Sequence, residues 1–420
     1  MRQMKDSGVE WLGEIPADWA LRQAGQLADQ TKMPNEGMAE TNLLSLSYGK
    51  VKRRDINATD GLLPDSFETY NIIEPDDIVL RFTDLQNDQK SLRVGRATER
   101  GIITSAYVTV RPFDPSCSRF MYYALHSYDL CKGFYGMGAG VRQGLKWQEA
   151  RYILLPWPDK DEQTRIADFL DAKCAEIDRA VSAAEQSIQE YKAYKSSVIF
   201  QAVTKGLDPT APMKDSGIEW LGEVPAGWQV RYPKFLFAAR KERARADDIM
   251  LTASQHHGMI SQRQFMEKES YAPVPVEKGH DILKHVEPGD FIISMRSFQG
   301  GLEYSAMRGK MSSAYLALYP IDNCVDDRYY RWLFKSQGYI QGLQTTTNLV
   351  RDGQALRYAN FLKVWLPMPP LEQQSAIASF LDAKCAEIDS LVEAKQAIID
   401  ELKSYKQSLI YEAVTGKLEV

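Results

Sequence analysis

Cysteine is scarce and unpaired in this chain: five residues in 420 (Cys117, Cys131, Cys174, Cys324 and Cys385), an odd number with no C-x-x-C. That argues against a disulfide framework and a cysteine-pair zinc site, and it fits a reducing cytosol, so a cytoplasmic protein is expected. No apolar run reaches the ~18 residues that a membrane span needs. Residues 1–19 carry four acids and no apolar segment, so they do not read as a signal peptide. The five histidines (His126, His256, His257, His280 and His285) form no H-E-x-x-H, and the adjacent rings of His256 and His257 diverge. There is no G-x-x-x-x-G-K-[ST], and the glycines from Gly136 to Gly140 follow a helical pattern rather than a strand, so they read as a loop. One nuclease-like set occurs, Pro158-Asp159 followed by Glu190-Tyr191-Lys192. It places Glu190 and Lys192 on a long helix where that chemistry needs a strand, and the second copy of the pattern has Pro370 in place of the aspartate. The expectation is a chain with no catalytic residues and no metal ligands.

What the chain does have is a repeat. FLDAKCAEID runs from Phe169 to Asp178 and again from Phe380 to Asp389, half the chain length apart. A repeat of this kind is an internal duplication. Each copy opens a seam spaced alternately four and three residues apart. The first passes through Leu170, Cys174, Ile177, Val181, Ala184, Ile188, Tyr191, Lys195, Val198 and Ala202. The second passes through Leu381, Cys385, Ile388, Val392, Lys395, Ile399, Leu402, Lys406, Leu409 and Ala413. Held over that length, the spacing predicts a coiled-coil seam rather than a core helix of ordinary length. Asp161 or Thr164 is placed to cap the first long helix. A second repeat precedes each half: MKDSGVEWLGEIPADW (Met4–Trp19) and MKDSGIEWLGEVPAGW (Met213–Trp228) share 13 of 16 residues. Such an aromatic turn is either an anchor on a neighbouring surface or a clasp at a domain edge. As an anchor, it offers Trp11, Trp19, Trp220 and Trp228 to a partner subunit.

The repeats divide the chain into a flank at 1–19, a globular segment at 20–158, a long helix at 159–205, a linker and second flank at 206–228, a globular segment at 229–369 and a second long helix at 370–420. In the first globular segment, Leu43–Ser47, Asp77–Phe82 and Ile102–Val110 read as strands and Arg119–Asp129 as a helix, with a glycine-rich loop at Gly133–Gly144. The fold class is mixed α+β: two α/β domains related by a pseudo-two-fold, joined by two long helices. The net charge of −5 is unevenly spread. Residues 20–158 hold 17 Lys and Arg against 16 Asp and Glu, 229–369 hold 19 against 14, and the rest sums to −11. The globular segments are therefore the basic parts of an acidic chain.

Within those segments the frame is shared and the loops differ. Ser313-Ala314-Tyr315 answers Ser105-Ala106-Tyr107, and Val350-Arg351 answers Val141-Arg142, while the intervening sequence has diverged. One scaffold thus presents two different polar surfaces. The first offers Lys50, Lys52, Arg53, Arg54, Arg81, Gln86, Asn87, Lys90, Arg93 and Arg142. The second offers His256, His257, Arg263, Arg296, Gln299, Asn348 and Arg351. Arginine can pair with guanine edges, Asn and Gln with adenine, and Lys with phosphates, so these are the candidate DNA-contacting residues.

These residues resemble a known family, the specificity (S) subunit of type I restriction–modification enzymes. The resemblance spans essentially the whole chain. It is carried by the KDSG[VI]EWLGE[IV]P flank, the stretches LSLSYGKVKRRD and RFTDLQNDQKSLRVG, and the L-P-x-P…EQ…I-A-x-F-L-D helix start. Pro367 to Gln374 fits that start fully, and Pro156 to Gln163 fits it without the second proline. The resemblance implies a non-catalytic subunit with two target recognition domains, each reading half of a bipartite double-stranded DNA target with an unspecified gap. It implies that the two helices are conserved spacers paired antiparallel, with Leu170, Ile177, Val181, Ile188, Leu381, Ile388, Val392 and Ile399 in the seam. It implies two methyltransferase (M) subunits as partners, restriction (R) subunits joining through the complex, and no cofactor in this chain, S-adenosylmethionine, ATP and Mg²⁺ belonging to the partners. The alternative reading is a non-catalytic two-fold scaffold that binds protein partners without DNA.

Overall fold

The structure is a computed structural model. It describes residues 2–57, 63–64, 66–85, 87–88, 90–137, 144–254, 257–269, 282–294, 302–321, 323–346 and 356–420. The chain forms two compact units: Met1–Glu185 with Ala397–Val420, and Gln186–Gln396. Both divisions fall inside long helices rather than where the globular segments end.

The strands of the first unit include β1 (Ala28–Thr31), β2 (Leu44–Ser47), β3 (Lys50–Arg53), β4 (Ile78–Leu80), β5 (Val94–Arg96) and β6 (Val108–Pro112), and β1, β6, β4 and β5 form a sheet in that order. The second unit repeats this order with Phe237–Ala239, Tyr315–Pro320, Phe291–Ser294 and Glu303–Tyr304. The expected strand over Ile102–Val110 is interrupted. Thr104 folds the chain back through Tyr107 N–H to Thr104 O (3.1 Å) and Ala106 N–H to Thr104 Oγ1 (3.3 Å), so Gly101–Ile103 pairs with Asn71–Ile73 and β6 starts afresh at Val108. A Thr-Ser turn inside a β-branched run is hard to see by alternation alone. The helix α1 (Ser118–Leu130) buries Phe120, Tyr123 and Ala124, as its spacing predicts.

The two long helices are α2 (Lys160–Lys205) and α3 (Leu371–Val414), and they pack together. Leu170, Cys174, Ile177, Ala184, Ile188 and Ala202 of α2 are buried, as are Leu381, Cys385, Ile388, Ile399, Leu409 and Ala413 of α3, while Val181 and Val392 are half-buried. Each fully buried aliphatic side chain contributes about 1.5–3 kcal/mol. The cap of α2 is neither expected residue: Asp159 Oδ1 accepts from Glu162 N–H at 2.8 Å, while Thr164 donates back to Lys160 O at 2.9 Å. The helix therefore begins earlier than the capping argument places it.

The repeated decapeptide acts as a joint. In the first unit Asp171 accepts from Tyr123 Oη of α1 at 2.6 Å, and Asp178 accepts from the seam Lys406 at 2.6 Å. In the second unit Asp382 accepts from Trp332 Nε1 at 2.9 Å, and Asp389 accepts from the seam Lys195 at 2.7 Å. Two of its aspartates thus tie a helix end to its own globular domain and to the opposing helix. Asp178 lies opposite Lys406 and Glu185 opposite Lys403, so these segments run antiparallel. The same register brings the chain end onto the first flank, where Lys417 Nζ donates to Leu12 O at 2.9 Å.

The flank has an equally local logic. Lys5 Nζ holds Ala17 O and Trp19 O (2.9 and 2.6 Å), and Lys214 does the same for Ala226 O and Trp228 O (2.8 and 2.6 Å). Asp6 and Ser7 accept from Gly8 and Val9 N–H, closing the turn. Trp19 donates to Glu162 on α2 (2.9 Å), and Trp228 to Gln373 on α3 (2.7 Å). Trp19 and Trp228 are buried, so they belong to the cores of their own units rather than to a docking surface. Trp11 and Trp220 are half-buried and pack edge-on against Tyr128 and Tyr339. The clasp reading of the flank is the one that its geometry matches.

Candidate nucleic-acid interface

In the first unit β2 and β3 form a hairpin closed by Tyr48 and Gly49, with φ of 47° and 76°. Two successive left-handed residues are what the tightest hairpin turn requires. Leu44, Leu46 and Val51 face a small core with Ile73, Val79, Ala97 and Ile103. Alternation then turns Lys50 and Lys52 the other way. Lys50 is paired with Asp178, so it pins the hairpin to the helix joint. Lys52 is exposed and has no ion pair among the described residues. Arg53 reaches Glu99 through Nε (2.8 Å to Oε2), and Arg54 is exposed beside it, its N–H bonded to Leu43 O at 2.8 Å. Glu99 is held below the usual carboxylate range, chiefly by its hydrogen bond from Arg53. The most exposed aromatic on this surface is Tyr48 at the hairpin tip, 81% exposed, a residue of the LSLSYGKVKRRD stretch that was not among the expected contacts.

The second cluster lies on the loop between β4 and β5. Arg81 pairs with Asp88 at 3.4 Å, Asn87 Nδ2 donates to Asp84 Oδ1 at 2.8 Å, and Lys90 is exposed. Hydrogen bonds from the Ser91 hydroxyl and amide, helped by Arg81, push Asp88 down to about 2. Arg93 is the correction in this group. It is wholly buried just before β5, so its guanidinium faces the protein and cannot reach a base edge. Gln86 and Arg142 lie outside the described residues.

The second unit places Leu251–Ser254 and Gly258–Ser261 as the matching hairpin. His257 lies at its turn with Nε2 at 3.2 Å from Glu269 Oε1. Arg263 follows on the helix Gln262–Lys268, almost fully exposed and paired with Glu267 at 3.1 Å. His256, Arg296, Gln299, Asn348 and Arg351 lie outside the described residues. Among the described residues no group of three His, Cys, Asp or Glu could hold a metal ion. The surface these side chains make is a mixed one, cations set against carboxylates at the edges of hairpins and loops. Such a surface suits hydrogen-bonding recognition of a polar partner.

Behind the hairpin tip, on α1, His126 is buried, stacks on Tyr122 at 5.5 Å, and has no partner for Nδ1. Burial and the nearby Lys406 charge push it down to about 4. A histidine whose folded value lies below its unfolded value of ~6.5 contributes stability that is intact above that pH and is lost as the pH falls toward 4. The difference corresponds to roughly 3 kcal/mol. Asp129, pushed up to about 6 by burial, acts in the opposite sense. Comparing wild type with His126→Leu isolates the histidine. The stability of wild type relative to the variant should drop by up to ~3 kcal/mol between pH 6.5 and pH 4 in urea unfolding. Parallel pH profiles for the two proteins would exclude this role.

No family model matches the chain. It is 21% identical over 396 residues to a putative type I restriction enzyme MjaX specificity subunit from Methanocaldococcus jannaschii, covering 89% of this chain and 88% of that one. A solved structure described as the structural basis underlying complex assembly and conformational transition of the type I R-M system shares the fold at a TM-score of 0.67. It has 14% identity and covers 96% of this chain and 99% of that one. The crystal structure of the HsdS subunit from Thermoanaerobacter tengcongensis aligns over 96% of this chain and 98% of that one at 14% identity and a TM-score of 0.49. The fold defines a duplicated chain of two mixed α/β units built on long packed helices. Likeness along nearly the full length to that relative, together with that shared fold, makes the chain similar to the specificity subunits of type I restriction–modification systems.

Proposed function

We propose that each half of this chain reads one half of a bipartite duplex DNA target, that α2 and α3 set the gap, and that the chain docks two methyltransferase subunits. S-adenosylmethionine, ATP and Mg²⁺ act in the partner subunits, and the complex works in the cytoplasm. One observation carries the reading. The joints are the same in both halves, Asp171 and Asp178 matching Asp382 and Asp389, while the hairpins and loops they carry differ in sequence. Surfaces that stay the same suit two copies of one partner, and surfaces that diverge suit two different half-sites. The exposed or half-exposed cations Lys52, Arg53 and Arg81 are the leading contacts in the first half. Alanine at each should weaken binding of the assembled methyltransferase to duplex DNA. A phosphate contact would lower affinity for every sequence and reduce the salt slope by about one. A base contact would cost about 1–3 kcal/mol at one position. An electrophoretic shift titration over salt concentration measures both. Unchanged affinity and slope in all three variants would move the first surface elsewhere, and no shift by the wild-type assembly would favour the scaffold that binds proteins alone.

A further inference from the structure

The buried arginine that the DNA-facing surface lost has another job. A guanidinium has five N–H donors in a rigid fork and keeps its charge when buried. Arg93 satisfies each donor with a different acceptor. Nε donates to Tyr135 Oη (3.1 Å), Nη1 to Arg81 O (3.2 Å) and Thr83 O (2.7 Å), and Nη2 to Asp84 O (3.2 Å) and Asp88 O. Four of the five acceptors are main-chain carbonyls of one loop. That loop includes Asp84 in a left-handed conformation, φ 59°, a region that aspartate enters more readily than most side chains. The Arg93 N–H is held by Asp129 Oδ2 of α1 at 2.6 Å, and the Tyr135 ring lies 5.1 Å from the guanidinium carbon. The loop is therefore wrapped around one side chain that is itself fastened to α1. Turning four carbonyls inward leaves Arg81, Asn87 and Lys90 on the outer side.

We propose that Arg93 is a positioning residue for DNA specificity: by fixing the carbonyls of Arg81, Thr83, Asp84 and Asp88 it holds Arg81, Asn87 and Lys90 in the arrangement that selects bases, without touching DNA. The inference rests on the DNA-reading role proposed above. It is also confined to one half. Val79 pairs with Gly95, and in the second unit Ile292 pairs with Glu303, so the residue answering Arg93 in sequence is Gly301, which has no side chain to serve this purpose.

The test uses the full chain assembled with its methyltransferase and duplex libraries randomised in one half-site at a time. Wild type, Arg93→Met, Arg93→Lys and Val94→Ala are compared. Val94 follows Arg93 directly and is buried in the hydrophobic core, so its truncation reports simple destabilisation. Both Arg93 variants should lose about tenfold or more of the selectivity at one half-site, the scale of a lost base contact, and keep the other half-site unchanged. Lysine should fail because three donors on a flexible stem cannot serve the acceptors that five in a planar fork do. Val94→Ala should melt earlier and keep both selectivity profiles. Should Arg93→Met not fold, Arg93→Lys decides alone. Unaltered selectivity in the Arg93 variants, full selectivity with lysine, flattening of both half-sites together, or the same loss in Val94→Ala would each overturn the inference. A wild-type assembly with no sequence preference at all would instead remove the DNA-reading role on which it rests.

Discussion

Replacing residues 229–365 with the matching segment of a relative will change one half of the methylated sequence and leave the other half as it was. The expected effect is all-or-none, because the exchanged segment carries every candidate contact of the second half. The joints make the exchange structurally reasonable. Trp228, which stays, anchors on Gln373, which also stays, and Asp382 and Asp389 remain on α3. The junction cuts one strand pair, Gln229–Arg231 with Leu366–Met368, so the incoming segment supplies one strand and the host the other. That ladder is made by main-chain groups and tolerates a change of side chains. Asp382 meets its domain through Trp332 and Arg331, so the donor should carry a donor side chain at the first of these positions. Methylation mapped across a genome reads the result. A chimera that still methylates both original half-sites would refute the assignment of one half-site to each half.

The second large effect concerns the helices. Seven residues inserted after Glu185 and seven after Gln396 will move the preferred gap or abolish methylation. A whole heptad in both helices keeps the seam in phase. It lengthens each helix by about 10 Å, which matches about three base pairs and turns the duplex by about a third of a turn. The two insertion points are also where the chain divides into its units, so no globular core is interrupted. The ion pairs Lys406–Asp178 and Lys195–Asp389 each stay within a single unit and survive the change. Exposed pairs of this kind contribute only about 0–1 kcal/mol, so the buried seam carries the stability of the extended variant. Methylation would be measured on duplexes whose gap grows one base pair at a time. A folded variant with the original optimum at full activity would show that the helices do not set the gap.

The seam was legible because a four-three spacing held through ten positions has few alternatives, and the structure buries or half-buries it along its length. The duplication was legible because identity at a fixed offset needs no structural theory. What escaped was settled by local hydrogen bonds and tertiary contacts that spacing does not display. Asp159 caps α2, ahead of the two residues favoured by position. The turn at Thr104 breaks a run that alternation continues through. Trp19 and Trp228 are conspicuous in sequence, and their indoles lie in the cores of their own units. Arg93 sits among polar residues in a loop sequence, so composition groups it with surface cations. Only the convergence of four loop carbonyls shows that it is interior. The repeated Lys5 and Lys214 look like surface charge and prove to be clamps on main-chain carbonyls. A sequence records residue types, and these roles depend on what folds around them.

The most direct measurement is methylome sequencing of cells with and without this chain, in the presence of its methyltransferase. The account predicts one motif that depends on the chain, made of two specified parts separated by a gap of fixed length and free sequence. An unchanged methylome, or a dependent motif that is continuous with no unspecified gap, would contradict it.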